Sequence, residues 1–171
     1  MEWNAVRSGS KVEGAPLDAR YASFVGVEGL LHRHGMSTAQ LAGWMQRRLG
    51  SSVEWIRIPW PASLEDIPIS PSPNIPHLSA IRVYPGQCFW EATTFSEGRG
   101  TTRPFELFGH PDLPWTACTS LAAQFNRKFS RQAMLRPVKF IPGFHKHQDL
   151  VCHGFQLHLL DAGTYHSVFG S

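Results

Sequence analysis

Six prolines lie between residues 59 and 76, and few charges accompany them. Proline fixes the backbone φ angle and has no N–H group, so neither a helix nor a central strand can run through this segment. Such a stretch is typical of a linker or of extended chain. We therefore predict a boundary here between a first unit over residues 16–62 and a second unit over residues 63–171. Residues 1–15, polar with scattered glycine, are predicted to be a poorly ordered or an alternative N-terminus.

The first unit is predicted to contain one helix and one strand. Ser37 begins a Ser-Thr-Ala-Gln pattern in which Gln40 completes a capping box at a helix start. Apolar residues follow at helical spacing, and Gly50 is suited to end the helix. Residues 53–58 are rich in β-branched side chains and predict a strand.

The second unit is predicted to mix helices and strands. Residues 78–84 suit a short helix or turn that leads to a Pro85-Gly86 turn. Thr116 is the expected N-cap of a second helix, which ends near Phe129. Strands are predicted over residues 88–95, 135–141 and 155–160. The pattern places the chain in the α+β or α/β class.

Composition excludes several classes of partner. The 171 residues carry a net charge of +3 without a dense Lys/Arg run, so a nucleic-acid footprint is not indicated. No run approaches the roughly 18 apolar residues of a membrane span. Residues 1–15 lack the apolar core of a secretion signal. A mildly positive field suits an anionic ligand, although it is equally explained by solubility.

Cysteine and histidine spacing does not favour a metal site. The three cysteines are far apart and form no C-x-x-C pair, so we expect buried free thiols. His145, His147 and His153 suggest a zinc site, which we regard as the weaker hypothesis. We expect no metal and no cofactor.

Residues 96–101, Ser-Glu-Gly-Arg-Gly-Thr, place Arg99 between two glycines. Glycine allows positive φ angles and a close approach of the backbone to other groups. Folds accept such ordered loops where something is recognised. A tight surface turn with a solvated ion pair explains the same pattern about equally well.

Residues 91–106 resemble the E-G-T-N-x-S-E-G-R-G-T-T-x-P-F-E signature of the exo-β-N-acetylmuramidases, a family of peptidoglycan glycosidases. The signature's Gly and Asn are replaced here by Ala92 and Thr94. The resemblance runs from about residue 16 to the end of the sequence, and four further motifs match in order. They lie at residues 23–26, 33–37, 72–86 and 136–158.

The resemblance implies a fold and an activity. Family members carry a Rossmann-like domain followed by a smaller domain, so residues 16–62 would be a remnant of the first and residues 63–171 an α+β second domain. The chain would be truncated at its N-terminal side, with the family's catalytic glutamate in the region that it lacks. A missing N-terminal half or a second chain is then an expected partner.

The implied function is hydrolytic release of terminal N-acetylmuramic acid from cell-wall fragments, with this chain as the substrate-binding half. The alternative is a non-catalytic muramyl-glycan-binding domain or a relic. The compartment is left open between the bacterial cytoplasm and the periplasm or exterior.

Arg99 is the candidate for binding the lactyl carboxylate, which distinguishes N-acetylmuramic acid from N-acetylglucosamine. A guanidinium binds a carboxylate through two parallel N–H···O hydrogen bonds. The alternative is a structural pair with Glu97 or Glu106. Glu97 and Glu91 are the candidate catalytic carboxylates. One straight strand would hold them about 20 Å apart, farther than the about 5 to 10 Å of a glycosidase pair, so Glu97 is also considered as a partner of Arg99.

The other matched motifs supply further candidates for substrate binding. A helix N-terminus near a cationic pair can hold an anion, although His34 can instead pack and cap. Asn74 can face the site or make a local turn bond. Phe89, Trp90 and Phe144 can stack on a sugar or pack in the core. The polar candidates are Arg33, His34, Asn74, Thr94, Lys146 and His147.

Overall fold

The computed structural model describes residues 11–50, 52, 54, 56, 70 and 72–170. The chain divides into two compact units, residues 1–69 and residues 70–171, and each is described by itself. The strand predicted over residues 53–58 lies largely outside the described residues, as do residues 1–10. No helix of the described part is long and apolar enough to cross a membrane.

The first unit contains a two-stranded antiparallel sheet and one helix. Strand β1 (Glu13–Pro16) pairs with β2 (Leu31–Arg33), although β1 starts inside the segment for which disorder was expected. Helix α1 spans Thr38–Leu49. The capping box is confirmed, because the Ser37 hydroxyl accepts from the Gln40 N–H and the Gln40 side chain accepts from the Ser37 N–H. Gly50 ends the helix with φ 62°.

Replacing Ser37 with alanine should loosen the start of α1. The substitution removes the acceptor of the Gln40 N–H, which lies 3.2 Å from the Ser37 hydroxyl, and cap losses of this kind cost about 1 kcal/mol. Amide hydrogen exchange in the first turn of α1 should therefore become about fivefold faster. Ser120 lies exposed within a helix of the second unit. The control Ser120→Ala removes no cap and should not accelerate exchange in the first turn of α1.

The second unit contains two helices and a three-stranded antiparallel sheet, against which the second helix packs. The helices are α2 (Leu78–Gln87) and α3 (Trp115–Lys128). The strands are β3 (Leu107–His110), β4 (Ala133–Phe140) and β5 (Cys152–Leu159), in the order β3-β5-β4. The last strand in the sequence is thus the central one, and the observed architecture is mixed α+β.

The strand predicted over residues 88–95 is wrong. Residues 78–87 form α2, which includes the Pro85-Gly86 pair, and Cys88–Ala92 continues as a 3₁₀ helix. Trp90 stacks between Phe95 and Phe108 at centroid distances of 5.2 and 5.0 Å. An aromatic run indicates burial but does not distinguish a strand from a compact turn. Here the packing of the rings is compatible with the 3₁₀ helix that the chain forms.

Two smaller expectations also need correction. Thr116 is not the N-cap of α3, because Pro114 holds that position with extended backbone angles and Trp115 is the first helical residue. Proline suits a helix start, where no donor is needed. The short strand β3 was not predicted at all. The end of α3 at Lys128 and the strands β4 and β5 agree with the prediction to within three residues.

An apolar core in the second unit joins residues of α2, α3 and the sheet, and its largest buried side chains include Phe105, Phe108, Phe155 and Leu157. The three cysteines are free, as predicted, and Cys118 and Cys152 are buried. Burial raises the pKa of the Cys88 and Cys152 thiols to about 11 each. Both are therefore neutral near pH 7 and serve as packing groups rather than nucleophiles.

Candidate functional site

The loop that carries Arg99 depends on both of its glycines. Gly98 and Gly100 have φ angles of 82° and 81°, which other residues adopt only at a cost. A Cβ at Gly98 would lie 2.5 Å from the Leu107 carbonyl oxygen, and one at Gly100 would lie 2.6 Å from the Phe144 nitrogen. The two glycines therefore let the loop pass close to the backbone at Leu107 and at Phe144.

The Arg99 guanidinium is held on several sides. Its Nη2 donates to Glu91 Oε1 at 2.6 Å, and its Nε lies 3.2 Å from Glu97 Oε1. Its Cζ sits 5.1 Å from the centroid of the Phe105 ring, a cation–π distance. The side chain remains 24% exposed. Arg99 is thus fixed in position and still open to solvent.

Glu97 is a fully buried carboxylate that lies close to two cations, Arg99 and Lys146, and to the imidazole of His145. Besides Arg99, His145 Nδ1 lies 3.1 Å from Oε1 and Lys146 Nζ lies 3.2 Å from Oε2. Neither oxygen receives a well-aligned hydrogen bond from the described residues, so charge rather than bond geometry dominates these contacts. Buried charges persist in folded proteins only when compensated. Glu97 therefore stabilises the cations around it.

Lys146 fastens the β4–β5 loop to the segment after α2. Its Nζ donates to the carbonyl oxygens of Trp90, Glu91 and Phe95 at 2.9, 3.0 and 3.1 Å. An ammonium group has three protons, and these bonds use all of them. The loop also carries three non-glycine residues with positive φ, namely His145, His147 and Asp149, a backbone state that the surrounding contacts must enforce.

The chain folds back between the two candidate carboxylates, so the separation that a straight strand would give does not apply. Because Glu91 and Glu97 contact nitrogens of one guanidinium, their nearest oxygens lie within about 8 Å of each other, given the compact planar fork of arginine. The reason is that no straight strand joins them, since Cys88–Ala92 is a 3₁₀ helix. Glu97, with 0% exposure, presents no surface to a substrate.

The remaining candidates have mainly structural contacts. His147 Nε2 lies 2.7 Å from the Thr94 carbonyl oxygen, so this pair joins the same two segments as Lys146. The Asn74 N–H donates to the Ser72 hydroxyl at 3.2 Å, which is a local turn bond. In the second unit the structure thus brings together six of the predicted residues: Glu91, Thr94, Glu97, Arg99, Lys146 and His147.

Arg33 and His34 belong to the first unit. Arg33 pairs with the buried carboxylate of Glu13. Nδ1 of His34 accepts from the Met36 N–H at 3.1 Å, and burial lowers the pKa of His34. His34 therefore supports the turn before α1.

The sequence did not reveal that His145 contacts Glu97. The run His145-Lys146-His147 suggested a metal only as the weaker hypothesis, and its histidines contact Glu97 and the Thr94 carbonyl. Among the described residues, no group of three His, Cys, Asp or Glu side chains is placed to hold a metal ion. The sequence did contain one signal for this contact. The basic run at residues 145–147 could have been matched with the acidic Glu97 that precedes Gly98-Arg99-Gly100.

The three candidate stacking residues separate into two kinds. Trp90 packs in the core, with its Nε1 donating to the buried Gln87 side chain at 3.1 Å. Phe89 and Phe144 are 46% and 51% exposed. The Gly143 N–H donates to the Gly100 carbonyl oxygen at 2.8 Å. The exposed ring of Phe144 therefore belongs to the residue that follows a direct contact with the Arg99 loop.

The sequence of the chain matches a known protein family. The family described as exo-β-N-acetylmuramidase NamZ, C-terminal, matches residues 82–170, and its N-terminal counterpart matches residues 4–79. The chain is 34% identical to the peptidoglycan β-N-acetylmuramidase NamZ of Bacillus subtilis, over 95% of this chain and 40% of that protein. The chain thus spans well under half the length of this relative.

Solved structures support the fold. A protein of the DUF1343 family from Bacteroides fragilis superposes with a TM-score of 0.76 at 22% identity, covering 94% of this chain and 44% of that one. A second from the same organism gives 0.60 at 25% identity, with 88% and 41% covered. Because the C-terminal family match alone covers more than half of the sequence, the chain belongs to the exo-β-N-acetylmuramidase NamZ family.

Proposed function

We propose that this chain supplies the substrate-binding part of a peptidoglycan exo-β-N-acetylmuramidase, which releases terminal N-acetylmuramic acid by hydrolysis and without a cofactor. Family membership and the activity named for the Bacillus subtilis relative support this proposal. The catalytic glutamate would lie in a Rossmann-like region, of which residues 16–62 would be the last part, and residues 63–171 would form the second domain.

The observation that carries the proposal is the state of Arg99. Its guanidinium is fixed by Glu97 and Phe105 and is still 24% exposed. A preorganised arginine loses little conformational entropy when it binds, and its fork matches a carboxylate. The lactyl carboxylate of N-acetylmuramic acid is the group that this arrangement suits. Phe144 would offer a ring for the sugar face.

The other candidates receive supporting roles. Glu91 would border the ligand at the surface, while Lys146, His147 and the Thr94 backbone would hold the Arg99 loop in place. Arg33 and His34 of the first unit and Asn74 of the second would remain candidates for substrate binding in the complete protein.

A covering partner is proposed for the first unit. Phe24 and Val25 are 100% and 79% exposed there, and exposed apolar groups that cluster mark interaction surfaces. A preceding Rossmann-like half, on the same chain or on a second one, would cover them.

One observation favours the alternative of a non-catalytic muramyl-glycan-binding domain. Glycoside cleavage usually needs two carboxyl groups that reach the substrate. Of the two candidates in the Arg99 site, only Glu91 is exposed, because Glu97 is fully buried.

Arg99→Ala should weaken binding of N-acetylmuramic acid about 30-fold, since charge-assisted hydrogen bonds contribute about 1.5–3 kcal/mol. Binding of N-acetylglucosamine, which lacks the carboxylate, should be weak and unchanged. Isothermal titration calorimetry on the full chain measures both affinities. Arg131→Ala, at an exposed turn residue, is the matched control and should bind as wild type does.

Release of a chromogenic group from a β-N-acetylmuramide separates the two functions. Release that disappears in Arg99→Ala would assign hydrolysis to this chain, whereas Arg99-dependent binding without release would assign the binding module. Equal affinity of wild type and Arg99→Ala for the muramyl sugar would reject the proposed role of Arg99.

A further inference from the structure

The two carboxylates that contact Arg99 differ in one decisive respect. Glu97 is fully buried and also faces His145 and Lys146. The Glu91 side chain is 36% exposed and makes its hydrogen bond to Arg99 Nη2 at 2.6 Å. One carboxylate is therefore a fixed counter-ion, and the other can leave into solvent.

Glu91 can move without disturbing the loop. Its backbone lies in the 3₁₀ helix Cys88–Ala92, and its carbonyl oxygen accepts from Lys146 Nζ at 3.0 Å. The carbonyl of neighbouring Trp90 is bound by the same ammonium group at 2.9 Å. With the backbone held in this way, release of Glu91 from Arg99 needs only rotation of its own side chain, which costs little for an exposed glutamate.

A carboxylate on Arg99 is also the chemical group that the site is proposed to bind. A ligand carboxylate brought to Nη2 of Arg99 is repelled by the Glu91 carboxylate and competes with it for the same N–H groups. We infer that Glu91 is a displaceable internal competitor, which covers Nη2 of Arg99 in the empty site and yields it to the carboxylate of the muramyl sugar. This inference rests on the proposed function.

The competitor would set specificity. A ligand with a carboxylate replaces the Glu91 contact with an equivalent one, so the charge-assisted hydrogen bond at Nη2 is kept. A neutral sugar offers only hydroxyl or amide groups, which bind a guanidinium more weakly than a carboxylate does. Glu91 would thus exclude N-acetylglucosamine from Arg99 while lowering the affinity for N-acetylmuramic acid by a smaller factor.

Glu91→Gln is the test, because glutamine keeps the shape and removes the charge. The full-length variant should bind N-acetylmuramic acid about fivefold to tenfold more tightly than wild type, as expected when a like charge a few ångströms from the ligand is removed. Its preference over N-acetylglucosamine should fall. Asp112→Asn, which removes a charge from an almost fully exposed side chain, is the control and should leave both affinities unchanged.

A second measurement does not depend on sugar binding. Phenylglyoxal modifies accessible guanidinium groups, and mass spectrometry reports the rate at Arg99. Modification should be faster in Glu91→Gln than in wild type and unchanged in Asp112→Asn. Excess N-acetylmuramic acid should protect Arg99 in both Glu91→Gln and wild type.

The outcomes separate the inference from the proposed function. Unchanged or weaker binding by Glu91→Gln, together with binding that still depends on Arg99, would overturn the inference alone and make Glu91 an orienting residue. Faster modification of Arg99 in Glu91→Gln without any muramyl binding would overturn the proposed function while keeping Glu91 as a cover of Arg99. An unchanged modification rate would overturn the cover itself.

Discussion

A Lys146→Met protein should unfold with a free energy about 3 kcal/mol lower than that of wild type. The substitution leaves three carbonyl oxygens without their shared donor and removes one of the cations beside the buried Glu97 carboxylate. Breaking a buried charge pair from one side is among the most costly single changes. Urea unfolding followed by tryptophan fluorescence measures the difference.

Lys128→Met is the matched control for this prediction. Lys128 lies at the end of α3 with its Nζ 5.1 Å from the centroid of the Phe129 ring. Exposed cation–π contacts contribute about 0.5–1 kcal/mol, so this variant should lose less than a third as much. Equal losses in the two variants would mean that Lys146 does not fasten the loop.

Gly100→Ala should be destabilised by about 3 kcal/mol and should also lose muramyl-sugar binding. A Cβ at this position would lie 2.6 and 2.7 Å from backbone atoms of Phe144, which cannot retreat without opening the β4–β5 loop. The positive φ of 81° adds about 1–2 kcal/mol of its own. Thermal unfolding should therefore show the loss of stability, and isothermal titration calorimetry should show the loss of binding in the same variant.

Gly29→Ala separates conformational strain from steric overlap. Gly29 has a similar φ of 76°, but no heavy atom lies within 4 Å of an added Cβ. This variant should lose only the strain energy, about 1 kcal/mol, and should bind like wild type. A loss in Gly100→Ala no larger than in Gly29→Ala would show that the loop adapts to the extra methyl group.

Local chemistry explains which predictions from the sequence succeeded. The Ser37–Gln40 capping box and the positive φ angles of Gly98 and Gly100 are properties of a few adjacent residues, and they were found as predicted. The strand over residues 88–95 failed because its aromatic pattern reports burial without fixing the backbone. Trp90 packs against Phe95 and Phe108 from a 3₁₀ helix, a result of tertiary contacts that the segment does not encode by itself.

The candidate site shows the same division at longer range. Arg99 and its acidic neighbours were visible in the signature, but the burial of Glu97 was not. That burial depends on Lys146 and His145, about 50 residues farther along the chain. The distance estimated from sequence spacing for Glu91 and Glu97 holds only for a straight strand. Because the backbone turns between them, both carboxylates contact Arg99.

The position of β5 has a consequence for biosynthesis. Among the described residues, β3 and β4 each pair with β5 and not with each other, and β3 has in addition an isolated bridge from Gly109 to Ser96. While a ribosome is still making residues 141–151, both outer strands have been synthesised, yet each lacks its pairing with β5. The nascent second unit then exposes open strand edges that invite chaperone binding or aggregation. A translation product that stops short of residue 152 would remain in that state and would be a target for proteolysis.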